Sequence, residues 1–211
     1  MKKIFLALVA AVAVSGAFAQ KGVAQNQGAA AFTAAITTAG VIKLQPANLQ
    51  RGEVIMQALA KRQSTRAFSD KELSLTDISD LLWAADGINR PEKGLRTAPS
   101  SRNRQDIFLY ISCAAGSFAY NHKENTLEKV SDTDCRSDKI APLIIYIVAN
   151  SDDPSTGIDA GLVSQNISLF CSGVGLATVC RTSMDKKAVA EGLKLPDGYR
   201  PVINHPVGYF K

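Results

Sequence analysis

The chain has 211 residues, 46% of them apolar and 20% charged, which supports one substantial core and offers no compositional case for two domains. Its formal net charge of +5 is too mild to argue for nucleic acid, because the basic residues are spread along the sequence without a recognition-helix or zinc-finger pattern. The four cysteines, Cys113, Cys135, Cys171 and Cys180, lie 22, 36 and 9 residues apart with no C-x-x-C pair, which argues against a structural zinc site.

Met1 to Ala19 reads as a secretory signal: Lys2 and Lys3 form a positive start, Ile4 to Val14 an apolar run, and Ala17-Phe18-Ala19 a small-x-small cleavage site. The alternative, a membrane anchor, needs about 20 apolar residues, and this run is shorter. No Cys follows it to carry a lipid and no twin Arg precedes it. Export unfolded into a periplasm is therefore expected, leaving a mature chain that begins at Gln20 with a net charge of +3. Gln20 to Gly40, rich in Ala, Gln, Gly and Thr without an amphipathic period, reads as a flexible leader, and the folded domain as residues 41–211.

Between Arg51 and Lys61, Val54, Ile55, Ala58 and Leu59 recur at helical spacing as one apolar stripe. This helix delivers Lys61-Arg62-Gln63-Ser64-Thr65-Arg66-Ala67-Phe68. In an extended or turning segment Arg62, Ser64 and Arg66 project to one side, where forked guanidinium donors and a hydroxyl suit a phosphate. A solvated basic turn is the plainer reading of the same residues.

Ser74-Leu-Thr-Asp77 has the form of a helix cap ahead of Leu75, Ile78, Leu81, Leu82 and Ala85 on one face, and Gly87 stops the helix. Trp83 is most simply core packing. A polar loop from Ile88 to Ala98 leads through Pro99-Ser100-Ser101-Arg102-Asn103-Arg104-Gln105 to a strand with Ile107, Leu109 and Ile111 on one face. Gly116 to Asn121 with Leu127 predicts a hairpin, Ser131 to Lys139 a charged loop, and the apolar run Ala141 to Asn150 a central strand buried on both faces. Gly157 to Ser172 reads as a helix with Leu162, Leu169 and Phe170 on its seam. Gly173 to Thr178 opens a strand continuing through Val179 and Cys180. Ser183 caps a helix from Met184 to Gly192, and Val202 to Phe210 forms a last strand.

The glycines at 173 and 175 precede a strand and follow a helix, the reverse of a dinucleotide-binding loop, so a Rossmann site is rejected. His122 and His205 sit in loop-like contexts without a Gly-x-Ser-x-Gly elbow, and no G-x-x-x-x-G-K loop occurs. In an oxidising compartment one or two disulfides are open to the chain. Cys113 to Cys135 is the easiest to picture, at roughly 3 kcal/mol for the closed loop. Burial as free thiols is the other reading, since Cys113 and Cys171 lie in apolar runs.

Five segments, in order, carry a resemblance. R-x-S-x-R followed by a small residue and Phe resembles the N-terminal motif of nitroreductase-family flavoproteins, and Leu81 to Gly87 resembles a helix end of that family's azoline-dehydrogenase branch. R-T-A-P-S-S-x-N-x-Q from Arg96 is similar to the second flavin segment. Asp159-x-Gly161-x-x-x-Gln165-Asn166-x-x-Leu169 with the following Gly-x-Gly-Leu-x-Thr resembles the long central helix and the strand after it, and Val207 to Phe210 is similar to the terminal strand.

The resemblance implies an α+β, nitroreductase-like fold with a central, mostly antiparallel sheet flanked by helices. It also implies an obligate homodimer with FMN at the dimer interface. Arg62, Ser64 and Arg66 would hold the phosphate. Gln63, with Pro99, Ser100, Ser101 and Asn103, would meet the ribityl chain and ring edge, and Val179 to Thr182, including Cys180 and Arg181, would lie beside the reactive ring nitrogen. Family members commonly continue to a further Lys or Arg at the phosphate; either Lys211 takes that role here or the phosphate has fewer partners and a weaker expected affinity. The implied reaction is ping-pong transfer of two electrons to a nitroaromatic, quinone or related small-molecule acceptor, with no catalytic side chain and no metal. The electron donor is NAD(P)H or, outside the cytoplasm, another carrier. Dehydrogenation of a peptide heterocycle and flavin or anion binding without turnover are the alternative readings.

Overall fold

The computed structural model describes residues 32, 40–136 and 139–211. The signal-peptide reading of Met1 to Ala19 lies outside the described residues. Of the leader, Phe32 and Gly40 are described: Phe32 is buried against Phe118, ring edge to face with centroids 5.6 Å apart. No helix among the described residues is long and apolar enough to cross a membrane.

Among the described residues, nine strands and four α-helices follow one another. They are β1 (Val41–Lys43), α1 (Ile55–Lys61), α2 (Leu75–Asp86), β2 (Ile88–Arg90), β3 (Leu95–Arg96), β4 (Ile107–Cys113), β5 (Gly116–Asn121), β6 (Thr126–Ser131), β7 (Leu143–Ala149), α3 (Thr156–Val174), β8 (Leu176–Thr178), α4 (Lys186–Gly192) and β9 (Arg200–Tyr209). Seven strands form one sheet in the order β1-β6-β5-β4-β7-β9-β8, and β2 pairs with β3 as a small ribbon inside the expected Ile88–Ala98 loop. Every pairing in the large sheet is antiparallel.

Alternation along the strands divides the core in two. Ile107, Leu109, Ile111, Leu143, Ile145 and Ile147 face α2 and α3, while Tyr110, Ile144, Tyr146 and Val148 face Val189 and Leu193 at α4. β7 is therefore buried at every residue, as its unbroken apolar run requires. α2 begins with the capping box that Ser74 and Asp77 announce: the Ser74 hydroxyl accepts from the Asp77 N–H at 3.0 Å, and the Asp77 carboxylate accepts from the Ser74 N–H at 3.3 Å. Asp77 also accepts from the Tyr209 hydroxyl at 2.6 Å and pairs with Arg51, which reaches Asp80 at 3.0 Å as well. This network ties the chain before α1 and the end of β9 to α2.

Three expectations are corrected. The stripe Val54, Ile55 and Leu59 does not face the core: only Ala58 of α1 is buried, and Val54, Ile55 and Met56 are 67%, 57% and 71% exposed. On α3 the inward seam is Asp159, Ala160, Val163, Ser164, Ile167 and Cys171, with Leu162 facing solvent, because the helix is apolar nearly all round and its packed side is set by small and polar residues that meet partners on the sheet. The last helix starts at Lys186, where the Asp185 carboxylate accepts from the Ala188 N–H at 3.0 Å. Ser183 lies outside the helix, with its carbonyl accepting from the Asn204 side chain, and Asp185 takes the cap.

All four cysteines are free. Cys113 packs on the α2/α3 side of the sheet and Cys135 on the α4 side, beside Ser112, whose hydroxyl accepts from the Cys135 N–H at 2.8 Å. The sheet itself separates the two thiols, so the Cys113 to Cys135 bridge does not form.

Candidate functional site

Chain geometry at the end of α1 follows from what Arg62 does there. Its N–H still donates to the Ala58 carbonyl, but its backbone turns to φ −55°, ψ 121° and leaves the helix extended. The ribbon that follows runs along the outer edge of β8. The Thr65 N–H donates to the Thr178 carbonyl and the Ser69 N–H to that of Tyr209, both at 2.9 Å, while Phe68 forms an isolated bridge to Phe210 and is buried with Ala141, Ala177 and Val179. Arg62, Gln63, Ser64 and Arg66 are exposed along this ribbon, and exposed Lys211 follows the Phe210 bridge. Lys61 pairs with Glu53; among the described residues Arg62, Arg66 and Lys211 have no acidic partner.

Beyond β8, Val179 is buried, Cys180 exposed and Arg181 half-buried. Arg181 and Asn204 exchange backbone hydrogen bonds at 2.9 and 2.8 Å. The Arg181 Nε also donates to Asn204 Oδ1 at 2.9 Å, and the Asn204 amide donates to the carbonyls of Arg181 and Ser183 at 3.3 Å. A fully buried asparagine thus fixes residues 181–183 against β9, past the end of β8.

His205, expected in a loop, lies in β9 and is completely buried. The Thr178 hydroxyl donates to the Pro206 carbonyl at 2.9 Å, so its oxygen accepts from His205 Nδ1–H at 3.2 Å, and Nε2 accepts from the Ser164 hydroxyl at 2.8 Å. This chain of neutral hydrogen bonds connects α3 to β8, and burial pushes the His205 pKa down to about 3.

The second segment is built differently. Pro99 and Asn103 are exposed and Ser100 and Ser101 half-buried. The Ser101 N–H donates to both oxygens of buried Asp159, at 3.0 and 3.1 Å, and the Gln105 N–H donates to the Ser100 hydroxyl at 2.9 Å. The Gln105 amide donates to the Gly94 carbonyl and to Asn103 Oδ1, at 2.9 and 3.1 Å. Arg102, Asn103 and Gln105 all take left-handed backbone, at φ 53°, 54° and 52°, a conformation that costs ordinary side chains energy. Beneath this segment Asp86 accepts from Arg96 at 2.8 Å and lies 3.0 Å from His122 Nε2.

The candidate residues form three groups. Cys180 and Arg181 lie past one end of β8, where Arg181 pairs with Asn204, and Lys211 lies past the other, seven residues or roughly 23 Å further along the line of β9. Arg62, Gln63, Ser64 and Arg66 lie on the ribbon, which leaves α1 near the last turn of α3, where the Ser172 hydroxyl donates to the Ala58 carbonyl. Pro99, Ser100, Ser101 and Asn103 rest on Asp159 in its first turn. At about 1.5 Å per residue, the 13 residues from Asp159 to Ser172 put roughly 20 Å of helix between them. Asn204 and His205 were missed by sequence reasoning because their partners are 23 and 41 residues away; a polar pair inside an otherwise apolar strand was the one available signal. No cluster that could hold a metal ion occurs among the described residues.

An antiparallel sheet packed on a long central helix, with exposed cations on a ribbon at one edge, defines the class of the protein as α+β. The nitroreductase family profile matches residues 59–209. A crystal structure assigned as a nitroreductase from Ralstonia eutropha JMP134 is 31% identical with a TM-score of 0.78, covering 84% of this chain and 93% of that one. The chain belongs to the nitroreductase family, whose members are flavin-linked oxidoreductases. Two further structures share the fold: an FMN-dependent nitroreductase from Clostridium difficile R20291 (21% identity, TM-score 0.54, 74% of this chain and 87% of that one) and the E. coli microcin synthetase McbBCD complex with truncated pro-MccB17 bound (17%, 0.61, 80% and 79%).

Proposed function

We propose that this chain is an exported, homodimeric FMN-dependent oxidoreductase that passes two electrons to a nitroaromatic, quinone or related acceptor. The observation that carries the reading is the placement of Arg62 and Arg66, exposed and without carboxylate partners among the described residues, on one ribbon, with exposed Lys211 following that ribbon's bridge from Phe68 to Phe210. Charged donors left free beside backbone N–H groups fit a phosphate dianion. When bound, FMN supplies the redox chemistry, alternately taking electrons from a donor and giving them to an acceptor. The ribbon would grip its phosphate, and the strand segment that Asn204 holds straight would line its ring.

The separation of Ser100, Ser101 and Asn103 from the ribbon supports a dimer, because a second copy running antiparallel would bring those residues of one chain to Arg62 and Arg66 of the other. The surface of α3 fits such a partner. Gly157 and Gly161 stand one turn apart with open space where a side chain would be, flanked by exposed Ile158 and Leu162, and the apolar residues of α1 are also uncovered.

The test is direct. The purified mature chain should be dimeric and yellow, or become so with added FMN, and its flavin should be reduced by NAD(P)H or dithionite and reoxidised by a quinone. Arg66→Ala should weaken FMN binding at least tenfold, the size of one charge-assisted hydrogen bond. A colourless monomer indifferent to FMN overturns the reading. Flavin that binds but never turns over selects the binding-protein alternative. The Leu81 to Gly87 stretch favours a second reading, dehydrogenation of a peptide heterocycle, which oxidation of an azoline peptide by the holoprotein would reveal.

A further inference from the structure

Asp159 stands out among the buried groups that the fold does not need. It is 3% exposed, and its only partner among the described residues is the N–H of Ser101, 58 residues away, which both carboxylate oxygens accept. Burying a carboxylate against a single amide is costly, and a neutral side chain would pack the same space more cheaply. What that carboxylate holds is the entry to a segment in which Arg102, Asn103 and Gln105 are all left-handed without being glycine. Such conformations persist only where surrounding contacts over-determine them. The Ser100 hydroxyl closes the far end on Gln105, and Arg104 is tied to Asp153 at 2.8 Å.

We propose that Asp159 is a positioning residue for the cofactor site: by clamping the Ser101 amide it fixes residues 99–105 in the one backbone arrangement that presents the Ser101 hydroxyl and Asn103 amide to FMN held on the Arg62 ribbon of a second copy. This rests on the FMN reading above. Because the Ser101 N–H is consumed by Asp159, that amide is not available to the flavin, and Ser101 would meet it through its hydroxyl.

The test compares the full mature chain with its Asp159→Ala and Asp159→Asn variants by two readouts. Without cofactor, hydrogen exchange of the amides at 102–105 should quicken in the alanine variant and stay near wild type in the asparagine variant, whose Oδ1 can still accept. FMN affinity should fall roughly ten- to a hundredfold in the first, as for loss of one hydrogen bond to a charged group, and within about threefold in the second. Asparagine rescue separates positioning from charge. If alanine lowers the melting temperature of the whole domain, Ser101→Pro carries the exchange measurement, since Ser100 is already extended at φ −135°, ψ 153° and position 101 opens a short helical turn where proline is tolerated. Wild-type exchange at 102–105 in both Asp159→Ala and Ser101→Pro overturns the proposal, as does a loosened segment with unchanged FMN affinity. A wild-type chain that ignores FMN instead overturns the cofactor reading, and the exchange data still judge the clamp.

Discussion

Replacing His205 with glutamine isolates a pH dependence that the fold writes into its own stability. The imidazole is completely buried and neutral, and burial pushes its pKa from the ordinary 6.5 down to about 3. Between those values the unfolded chain binds a proton that the native chain refuses, so stability rises with pH across that window. The contribution is intact above 6.5 and drains away as the pH falls toward 3. At about 1.4 kcal/mol per pH unit, acidification from about 6.5 to about 5 should remove roughly 2 kcal/mol. The assay is urea unfolding followed by the fluorescence of Trp83, the single tryptophan, at a series of pH values. Glutamine can accept from Ser164 and donate to Thr178 without titrating, so His205→Gln should show a vertical offset of about 1–2 kcal/mol for imperfect hydrogen bonds and should lose the extra slope. Carboxylates and His122 titrate in both proteins and cancel in the difference. Parallel curves for the two proteins from pH 7 to 5 would refute the buried, neutral relay.

Other perturbations reach different parts of the framework. Asp77→Ala removes the capping box and the partner of both Arg51 and Tyr209, leaving a half-buried guanidinium without one of its two acids; a loss of about 3 kcal/mol or more is expected by calorimetry, and Tyr209→Phe should cost only about 1 kcal/mol. Gly116→Ala meets both a φ of 117° and the Ser131 carbonyl oxygen 2.5 Å from the new methyl group, so it should destabilise by more than about 2 kcal/mol in a urea melt, whereas alanine at exposed Gly157 should be mild. With thiol reagents under native conditions Cys180 should react first. Cys171, completely buried with its pKa pushed up by burial, should react only on unfolding. A Cys113 to Cys135 linked peptide in a non-reducing digest would contradict the placement of those residues on opposite faces of the sheet.

Where the sequence was legible, the signal was local. Ser74 and Asp77 sit three residues apart and Gly87 closes their helix, so α2 could be read from its ends; Leu143 to Ala149 could be read as central because both of its faces are apolar. The seam of α3 could not be read in that way. The expected seam residues Leu162, Leu169 and Phe170 are exposed or half-buried, and Asp159 and Ser164 turn inward beside Val163 and Ile167 because Ser101 and His205, far away in the chain, need them. α1 misled for a related reason: Val54, Ile55 and Leu59 have a helical period, but none of the described residues covers them. The candidate site was legible as segments and not as a place, because periodicity says which residues share a face and says nothing about the length of helix between Ser101 and Arg62.

The ribbon from Thr65 to Ser69 also answers a question the sheet poses about solubility. A seven-stranded antiparallel sheet has two outer strands whose unpaired amides and carbonyls invite another chain to add on. One of them, β1, is three residues long and ends in Lys43, which makes it a poor template. The other, β8, is capped by the ribbon itself, through Thr65 on Thr178. A chain that began after Ser69 would lose Arg62 and Arg66 and, in the same stroke, expose a growth front for aggregation. The segment that presents cations to a ligand is thus also the guard that keeps the sheet finite.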